Sequence, residues 1–510
     1  MPEKFARIYR AWRESHADWE ITLYDAEAMR AMVEMQYPQY LAIYDAYPTW
    51  THRGDVFRYC VLSAKGGVYA DLDVEPLGRL DDLIAQSEIF LGCEPASHGH
   101  RSGGLPYNLA TAFMGSVQGH TFWDHAMSRL ERCVGPDVVW STGPGFLSGA
   151  ALTAPRESRP DVVAPRYWSP FDAAGKPVED TEDYLGRVEE AFHVVGAGRE
   201  PIVSHLWFGS WMSVSSDYMD RHWLRAPSRL KWRWRETRHP ELAERAGQFL
   251  DGPRDFDRQT GVADTALDGT LAIAVTVGGQ IADAEGFARQ LAALKSPVPV
   301  KGVVLAVDDA QANGDDEHRL ERALCAENFR VERVGIAGVM GRLERSAVLA
   351  DAALGKASAE ADRVLLVDAN CSDLPASLIG DLASAGRDIV APRVETRQTG
   401  ELDPGNARYG MAPGFRSHYR NRMAKGLTAE AVEDYRIVLG TNKSLDVLPV
   451  DSVSPRCLLV SSEALRKSGA VFAGEPIAGT VGGLGFVQKL LRGQGTVAGM
   501  PNVVVTHAGS

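Results

Sequence analysis

The second half of the chain alternates continuous apolar runs with amphipathic segments, and this alternation restricts the fold more than any other feature of the sequence. Four apolar runs read as buried strands, TLAIAVTVG (270–278), VKGVVLAVDD (300–309), DRVLLVDANCSDLP (362–375) and DIVAP (388–392), and FRVERV (329–334) reads as a further strand. Helical patterns lie between them at 283–294, 317–328 and 343–355. Continuous runs of Val, Ile and Leu are typical of a parallel sheet covered on both faces. We therefore predict an α/β domain over residues 269–510.

Polar side chains end two of these predicted strands. Asp308 and Asp309 close one run, and Asp368 and Asn370 close another. In open α/β sheets, ligands bind beyond the carboxyl ends of the strands. We therefore expect a binding site that includes Asp308, Asp368 and Asn370.

The first half contains an acidic stretch, KGGVYADLDVEP, from Lys65 to Pro76. Read as a strand, it has one apolar face and one acidic face, made respectively of Val68, Ala70, Leu72 and Val74 and of Tyr69, Asp71, Asp73 and Glu75. Like charges a few ångströms apart repel by about 1 kcal/mol even in water, so the pattern indicates a bound cation or a raised pKa. Oxygen ligands favour Mg²⁺ or Mn²⁺. A solvated strand end also accounts for an isolated Asp-x-Asp, so the flanking residues must decide.

Length and composition exclude several classes of protein. A chain of 510 residues exceeds what one core serves, so we expect two domains. A formal net charge of −13 argues against a general nucleic-acid binder. The sequence has no apolar run of the roughly 18 to 20 residues that span a bilayer and no signal-peptide core, which predicts a cytoplasmic location. The six cysteines show no CxxC spacing, so neither a disulfide framework nor a zinc site is expected.

The chain divides near its middle, which gives predicted domains over 1–220 and 269–510 with a connecting segment over 221–268. Residues 221–238, RHWLRAPSRLKWRWRETR, are basic and contain three tryptophans. Two interpretations stay open for them: peripheral contact with the inner membrane face, or a helix whose tryptophans pack on their own domain. The polar stretch that follows reads as a linker.

Residues 52–77, HRGDVFRYCVLSAKGGVYADLDVEPL, resemble the DXD-containing sugar-binding glycosyltransferase family, which includes fungal initiating mannosyltransferases and bacterial capsule enzymes. The match extends beyond the two aspartates and covers about residues 10 to 215. It includes, in order, Asp55 and Arg58 of an Asp-x-x-Arg-Tyr signature, Gly66-Gly67, Thr142-Gly143-Pro144, and His205, Ser210 and Trp211 of HLWFGSW.

This resemblance implies a glycosyltransferase A-type fold, a nucleotide-sugar donor and transfer with retention of anomeric configuration. It implies that Asp73 binds Mn²⁺ or Mg²⁺, which neutralises the leaving diphosphate, and that Asp55 and Arg58 bind donor-sugar hydroxyls. For Asp71 it implies a contact with the metal, the ribose or the sugar, and for His205 a place in the metal or phosphate shell. The remaining implied donor contacts are Gly66, Gly67, Tyr69, Ser210 and Trp211. Purely structural interpretations exist for single residues, such as an i,i+3 ion pair for Asp55 and Arg58, a helix C-cap for Gly66-Gly67 and a buried structural histidine for His205.

One departure from the family concerns the start of the match. Members usually begin with a strand that carries part of the nucleotide-base pocket, and the sequence given begins after it. Either a further strand precedes residue 1 in the protein, or another element supplies the base contacts.

The second half resembles a different family, the fungal mannan-polymerase mannosyltransferases, over Arg363 to Val394, 451–472 and 482–507. The resemblance implies a second A-type domain in which Asp368, Asn370 and His507 bind a metal, and Asp308 and Asp451 contact the donor. Three departures accompany it: Asp-Ala-Asn at 368–370, Ser454-Pro455 in place of paired glycines, and no carboxylate in GTVGG at 479–483. An active second transferase and a degenerate acceptor-binding or scaffold domain both stay open.

The sequence thus predicts two tandem α/β, Rossmann-like domains of the glycosyltransferase A type. The predicted function is metal-dependent and bifunctional transfer of a sugar, with mannose from GDP-mannose preferred over a UDP-sugar, to a polysaccharide, glycan or glycolipid acceptor. Nucleic acid is not an expected partner. Two alternatives remain: a single active N-terminal transferase with a non-catalytic carbohydrate-binding C-terminal domain, and a nucleotide-sugar hydrolase.

Overall fold

The computed structural model describes residues 2–101, 105, 107–135, 137–208, 267–308, 314–336, 342–396, 408–409, 437–438, 443–450, 453–473 and 483–508. The chain divides into two compact units, of which the first contains the described residues up to 208 and the second almost all of those from 267 on. The predicted site residues Ser210, Trp211 and Asp451 and the basic segment 221–238 lie outside the described residues. Among the described helices, none has the length and apolar character needed to span a membrane.

The first unit begins with helices, α1 (Glu3–Ser15), α2 (Ala26–Gln36), α3 (Leu41–Ala46) and α4 (Trp50–Lys65). The sequence predicts a helix over Asp25–Tyr44, and the structure divides it into α2 and α3. The division falls at Pro38, which has no backbone N–H to continue the helical ladder. Thr49 caps α4 by accepting the His52 N–H at 3.4 Å.

The strands of the first unit form two small sheets. They are β1 (Gly67–Ala70), β2 (Val74–Pro76), β3 (Ile89–Cys93), β4 (Leu109–Ser116), β5 (Asp161–Val163), β6 (Val194–Val195) and β7 (Val203–His205). The larger sheet has the order β1-β4-β3-β5-β6, and β2 pairs separately with β7. The other helices are α5 (Asp81–Gln86), α6 (Thr121–Met127), α7 (Val138–Ser141), α8 (Pro144–Thr153), α9 (Pro165–Trp168) and α10 (Glu182–Glu189).

The acidic stretch is not one continuous strand, which corrects the alternation predicted from the sequence. Strand β1 ends at Ala70, and the Val74 N–H donates to the Asp71 carbonyl at 2.9 Å, which closes a tight turn. After the turn β2 pairs with β7, so that Val74 lies opposite His205. The two aspartates therefore lie on a turn between two sheets, because the chain leaves the pairing with β4 and joins β7. Strand alternation does not determine which way their side chains point.

Helix α1 supports this turn from the outside. The indole Nε1 of Trp12 donates to the carbonyl oxygen of Val74 at 2.8 Å. Val74 itself is fully buried, in a core that includes Phe113 and Trp168. The strand that follows the aspartates is therefore fixed by a hydrogen bond as well as by burial.

The second unit contains a single large sheet among its described residues. Its strands are β8 (Leu271–Val277), β9 (Val300–Asp308), β10 (Val331–Ile336), β11 (Arg363–Asp368), β12 (Cys371–Ser372), β13 (Ile389–Thr396), β16 (Leu448–Pro449), β17 (Cys457–Ser461) and β18 (Val497–His507), and the pair β14 (Arg408–Tyr409) and β15 (Ile437–Val438) lies apart. The helices are α11 (Ala284–Ala293), α12 (Gly314–Ala326), α13 (Arg342–Ala357), α14 (Leu378–Ser384), α15 (Ser462–Ser468) and α16 (Gly483–Arg492). Every strand and helix predicted from the apolar runs is present within a few residues.

The sheet is mixed, whereas the sequence predicts an all-parallel one. Its order is β10-β9-β8-β11-β17-β13-β18-β12, and β16 pairs with β18. Strands β10, β9, β8 and β11 are parallel neighbours, but β17 runs antiparallel to both β11 and β13. A strand buried on both faces is apolar whichever way it runs, so the sequence pattern did not distinguish the two directions. The α/β class is confirmed, and the carboxyl ends of β8, β9 and β11 form one edge.

Candidate active site

Helix α4 carries the predicted Asp-x-x-Arg pair. Asp55 and Arg58 lie about one turn apart on the same side of the helix, and both are buried. The Arg58 Nη2 atom is 3.4 Å from Asp55 Oδ1 and 3.4 Å from Asp71 Oδ1. The guanidinium therefore links the helix to the aspartate that follows β1.

Three further contacts fix the Arg58 guanidinium. Its Nη1 donates to the Thr111 carbonyl at 2.7 Å, and its Nε donates to the Gly54 carbonyl at 3.3 Å. The Tyr69 ring lies 4.8 Å from the guanidinium carbon, a cation–π contact. Groups from α4, β1 and β4 therefore hold the planar fork of donors in one orientation.

Asp55 is the innermost acid of this network. The Thr142 hydroxyl donates to Asp55 Oδ2 at 2.9 Å. Burial raises the pKa of Asp55 to about 6, against the opposing effects of Arg58 and the Thr142 hydrogen bond. The Thr-Gly-Pro match found in the sequence thus has a physical role here, because its hydroxyl satisfies a buried carboxylate.

Asp71 is the most exposed member of the network. Its side chain is 30% exposed, compared with 9% for Arg58 and 4% for Asp55. The Tyr69 hydroxyl donates to Asp71 Oδ1 at 2.8 Å. Tyr69, which the sequence predicts as a donor contact, therefore orients Asp71, and a ligand that reaches this network meets Asp71 first.

The side chain of Asp73, which directly precedes β2, lies beside His205 at the end of β7. Asp73 Oδ1 is 3.4 Å from His205 Nε2, and Asp73 Oδ2 accepts the backbone N–H of Phe208 at 3.0 Å. The pKa of Asp73 is lowered, because His205 and this N–H outweigh the burial that would raise it. The structure thus brings together two of the predicted metal ligands that lie far apart in the sequence.

Aromatic rings enclose His205. The Trp207 ring centroid is 4.0 Å from the imidazole centroid, and the Trp168 centroid is 5.5 Å away. Trp207 has a φ of 51°, in the left-handed region that a bulky residue seldom adopts. Its indole donates to the Phe171 carbonyl at 2.9 Å. The strained turn directly after β7 therefore places an indole against the histidine that faces Asp73.

The Asp73 and His205 pair fits a divalent cation. Ligands on adjacent corners of an octahedral ion lie about 3 Å apart, close to the 3.4 Å between Asp73 Oδ1 and His205 Nε2. His205 Nδ1 is buried with no hydrogen-bond partner among the described residues. No group of three or more His, Cys, Asp or Glu side chains within the described ranges forms a metal cluster. Among the described residues, the side chains that could ligate a cation here are thus one carboxylate and one imidazole.

The double glycine is explained by the backbone alone. Gly66 ends α4 with a φ of 69°, and a Cβ there would lie 2.6 Å from the backbone nitrogen of Gln118. Gly67 has a φ of 91° with no atom within 4 Å of an added Cβ. Donor contact by these glycines stays a prediction, and the helix C-cap accounts for both of them.

The second unit repeats the carboxylate and imidazole arrangement. Asp368 ends β11, and its Oδ1 is 3.4 Å from Nε2 of His507, the last residue of β18. Asp368 Oδ1 also accepts the backbone N–H of Asn370 at 2.9 Å. The Asn370 side-chain oxygen accepts the Ala282 N–H at 3.3 Å. Asp368, Asn370 and His507 therefore lie together, as the sequence predicts, and their role as metal ligands stays a prediction.

Two arginines accompany the acids of the second unit. Arg456 Nη1 is 2.6 Å from Nε2 and 2.8 Å from Nδ1 of His507. Arg345 Nε is 2.8 Å from Asp308 Oδ2, and both of these side chains are largely buried. Asp308 therefore forms an ion pair with Arg345, and its predicted contact with a donor stays a prediction.

The N-terminal part of the chain matches a known family. Residues 2–90 match the family described as the glycosyltransferase sugar-binding region containing the DXD motif. The predicted family resemblance of this region is confirmed. The matched residues, called the DXD region below, include Asp55, Arg58, Asp71 and Asp73, whereas their partners Thr111, Thr142 and His205 lie outside the match.

Several curated relatives that match part of the chain are fungal mannosyltransferases. The chain is 34% identical over 154 residues to inositol phosphoceramide mannosyltransferase 3 of Schizosaccharomyces pombe, which covers 29% of this chain and 40% of the relative. It is 31% identical over 157 residues to a mannosyl phosphorylinositol ceramide synthase of Saccharomyces cerevisiae, covering 29% and 37%. An initiation-specific alpha-1,6-mannosyltransferase of Candida albicans is 29% identical over 93 residues, covering 18% and 24%. The chain spans less than half the length of each of these relatives.

Solved structures give weaker similarity. A mannosyltransferase from Pyrobaculum calidifontis in complex with GDP-Man and Mn²⁺ has a TM-score of 0.28 at 16% identity, over 53% of this chain and 64% of that one. GalNAc-T7 with UDP, GalNAc and Mn²⁺ has a TM-score of 0.31 at 13% identity, over 48% and 44%. Scores this low carry no inference about the site.

Several residues of these sites were missed by sequence reasoning. Trp207 lies inside the HLWFGSW stretch, and Arg456 follows directly after the Ser454-Pro455 departure, so both were adjacent to a recognised signal. Trp168, Thr111 and Arg345 had no local signal, because only the fold places them at their sites.

Proposed function

We propose that the first unit is a divalent-cation-dependent transferase that moves a sugar, with mannose the leading choice, from a nucleotide-sugar donor to a glycan or glycolipid acceptor. The observation that carries this proposal is the Asp73 carboxylate facing His205 at 3.4 Å on the turn of the DXD region. We also propose that both units adopt the glycosyltransferase A-type fold in tandem. The second unit is proposed as a second nucleotide-binding domain.

Asp73 and His205 would hold the cation. When bound, the ion would neutralise the diphosphate that leaves as the bond to the sugar breaks. An imidazole ligand favours a transition metal over Mg²⁺, and Mn²⁺ accepts both carboxylate and imidazole ligands. The first unit is therefore expected to prefer Mn²⁺ to Mg²⁺.

The neighbouring network would hold the donor sugar. Arg58 has its fork committed to Asp55, Asp71 and the Thr111 carbonyl. Asp71 is the partly exposed end of this network and accepts hydrogen bonds. Its carboxylate is therefore placed to receive sugar hydroxyls, while the contact with Arg58 orients it. Asp55 supports Arg58 from the buried side.

Retention of configuration forms part of the proposal. Among the described acids of this site, Asp55 is held by Thr142 and Arg58, and Asp71 is held by Tyr69 and Arg58. Neither is presented as a nucleophile of the kind that a retaining glycosidase uses. An acceptor hydroxyl that attacks from the face of the leaving group, with a donor phosphate oxygen as the base, requires no such carboxylate.

The donor and acceptor follow from the names of the relatives. The curated relatives are all named as mannosyltransferases or mannosyl synthases in the cases described above, which supports mannose. Two of them are named for inositol phosphoceramide or phosphorylinositol ceramide, and one for initiation of alpha-1,6 mannose chains. We therefore propose GDP-mannose as the donor and an inositol-phosphate glycolipid as the first acceptor to test. Segment 221–238 stays a proposed peripheral membrane contact of a cytoplasmic protein.

The test measures nucleotide release and sugar transfer separately. Full-length protein with Mn²⁺ receives GDP-mannose, UDP-glucose or UDP-galactose, alone and with inositol phosphoceramide or a short mannose oligosaccharide. The expected result is release of GDP that increases when an acceptor is present, with an α-linked product. If the amount of GDP released equals the amount of free sugar formed under every acceptor condition, the protein is a nucleotide-sugar hydrolase and not a transferase.

Asp73→Ala and Asp82→Ala form the matched pair of variants. Asp82 is an exposed aspartate on α5 of the same unit, so its substitution controls for the loss of one negative charge. Asp73→Ala should abolish transfer, whereas Asp82→Ala should retain it. Equal rates for both variants would contradict the assignment of the cation site.

A further inference from the structure

Trp207 lies between two residues of the first unit that contact the Asp73 side chain. His205 precedes it by two positions, and its Nε2 atom lies 3.4 Å from Asp73 Oδ1. Phe208 follows it directly, and the Phe208 N–H donates to Asp73 Oδ2 at 3.0 Å. The Leu206 N–H also donates to the Asp73 carbonyl at 2.8 Å. This short segment therefore meets Asp73 with an imidazole and two backbone donors.

The backbone of Trp207 is held in an unfavourable conformation within this segment. Its φ of 51° lies in the left-handed region. The Cβ atom of an L-residue crowds the following carbonyl oxygen there, so bulky side chains seldom adopt it. Such a conformation persists only where surrounding contacts hold it, and it is often found at functional sites. The contacts of the Trp207 side chain are therefore part of what keeps the segment beside Asp73.

Three contacts fix the Trp207 indole. Its Nε1 donates to the Phe171 carbonyl at 2.9 Å and to the Ser169 hydroxyl at 3.1 Å. The His98 ring meets the indole edge-on, with the two centroids 4.6 Å apart. His98 is itself buried, and its Nδ1 lies 3.2 Å from Glu94 Oε2. The indole is thus held by residues that lie outside its own segment of the chain.

This fixed indole lies against the His205 imidazole. The two ring centroids are 4.0 Å apart, and the Trp168 centroid lies 5.5 Å from the imidazole and 6.0 Å from the Trp207 indole. His205 Nδ1 is buried and has no hydrogen-bond partner among the described residues. A histidine that ligates a metal is usually oriented by a hydrogen bond from its second ring nitrogen. In the described part of this site, ring packing takes the place of that hydrogen bond.

We propose that Trp207 is a positioning residue, whose indole holds the His205 imidazole beside Asp73 in the orientation that binds a divalent cation. The indole nitrogen is only a hydrogen-bond donor and cannot ligate a cation, so its effect on cation affinity passes through His205. A ligand held in its binding orientation loses less freedom when the ion binds, which raises affinity. This inference rests on the proposed function of the first unit, because it takes Asp73 and His205 as the ligands.

The first test measures Mn²⁺ affinity by electron paramagnetic resonance. The reference chain is the full chain with Asp368→Ala, which removes a proposed ligand of the second unit. Glycine accepts a φ of 51° without strain, so Trp207→Gly removes the indole and keeps the backbone conformation. It should weaken Mn²⁺ binding about 10- to 100-fold, the range typical of residues that orient a metal ligand. Trp207→Phe keeps a ring against His205 and should give an intermediate affinity.

Trp50→Ala is the matched control, since it removes an indole of the same unit that is 56% exposed. It should leave the Mn²⁺ affinity of the reference chain unchanged. A reference chain and a Trp207→Gly chain of equal affinity would overturn the proposal.

A double variant separates positioning from general support of the fold. In a His205→Ala chain the indole has no imidazole to hold, so adding Trp207→Gly should change Mn²⁺ affinity less than about twofold. A residue that only stabilises the fold would weaken binding equally with and without His205, and that result would overturn the proposal. If Trp207→Gly does not fold, Trp207→Phe gives the same comparison in the same two backgrounds.

A measurement without any cation distinguishes failure of this inference from failure of the proposed function. Diethyl pyrocarbonate acylates accessible imidazole nitrogens, and peptide mass spectrometry gives the rate at His205, which is 8% exposed. Trp207→Gly should raise this rate several-fold, and Trp50→Ala should not. Equal rates in the reference and Trp207→Gly chains would refute the role of Trp207 alone. A reference chain that binds no Mn²⁺ would instead refute the proposed cation site.

Discussion

Arg58→Met should destabilise the first unit because it removes the cation shared by two carboxylates. The methionine stem retains much of the packing volume, but Asp55, whose side chain is 4% exposed, loses its partner. Breaking a buried ion pair by removing one member costs about 3–5 kcal/mol. Loss of the contact between Arg58 and Asp71 adds less to this cost, since the Asp71 side chain is 30% exposed and partly screened by solvent. We therefore expect the free energy of unfolding to fall by about 3–5 kcal/mol.

The assay can be confined to the first unit. All eleven tryptophans lie between residues 12 and 234, so tryptophan fluorescence during urea unfolding does not report on residues 267–508. Arg53→Met on the same helix is the matched control, because Arg53 donates to the backbone carbonyls of Asp45 and Tyr47 and not to a carboxylate. The Arg53→Met substitution should lower the free energy of unfolding of the first unit by on the order of 1 kcal/mol.

A double variant separates the ion pair from the packing. Asp55→Asn with Arg58→Met removes the unpaired buried charge, and asparagine can still accept the Thr142 hydroxyl. The double variant should therefore be more stable than Arg58→Met alone by about 1–3 kcal/mol, a coupling typical of contacting residues. If Arg58→Met unfolds within 1 kcal/mol of wild type, or if the double variant is no more stable than the single one, the ion-pair account of this network is refuted.

Three further predictions concern neighbouring positions. Burial lowers the pKa of His52 from 6.5 to about 4, so folding favours the neutral imidazole, and the free energy of unfolding should fall by up to about 3 kcal/mol as the pH is lowered from 6.5 to 4. If urea unfolding of a His52→Gln chain shows the same dependence of this free energy on pH, His52 is not its cause. Gly66→Ala should lower the melting temperature more than Gly67→Ala, because only the first adds a Cβ 2.6 Å from a backbone nitrogen, and equal melting temperatures would contradict the close approach. His205→Ala should weaken Mn²⁺ binding at least tenfold and Mg²⁺ binding less, since imidazole favours the transition metal. Unchanged Mn²⁺ affinity in calorimetric titrations would show that His205 is not a ligand.

Local sequence patterns predicted the helices and strands better than the order and direction of the strands in the sheets. The buried strands β8, β9 and β11 were evident because a strand covered on both faces is continuously apolar. The direction of β17 was not evident, because burial imposes the same composition on parallel and antiparallel strands. The Asp71 to Val74 turn was also missed, since its residues keep an alternating pattern although the chain passes from one sheet to another.

Sequence patterns predicted those parts of the candidate site whose residues lie close together in the sequence. Asp55 and Arg58 lie one turn apart on α4, and helical periodicity is enough to bring them together. The contacts of Asp73 with His205 and of Asp368 with His507 join residues more than 130 positions apart, and only the family resemblances pointed to them. Arg456 was missed because an arginine before a strand has no distinctive local pattern, and only the pairing of β11 with β17 brings it to His507.

Asp73, whose side chain lies 3.4 Å from His205, is proposed to hold the cation on which sugar transfer by the first unit depends. The most direct test measures the initial rate of mannose transfer from GDP-mannose with Mn²⁺ by wild type and by Asp73→Ala, with tryptophan-monitored unfolding of both. We expect Asp73→Ala to lose transfer while its first unit unfolds at the same urea concentration as wild type. Unchanged transfer by a folded Asp73→Ala chain would show that transfer does not depend on a cation held by Asp73.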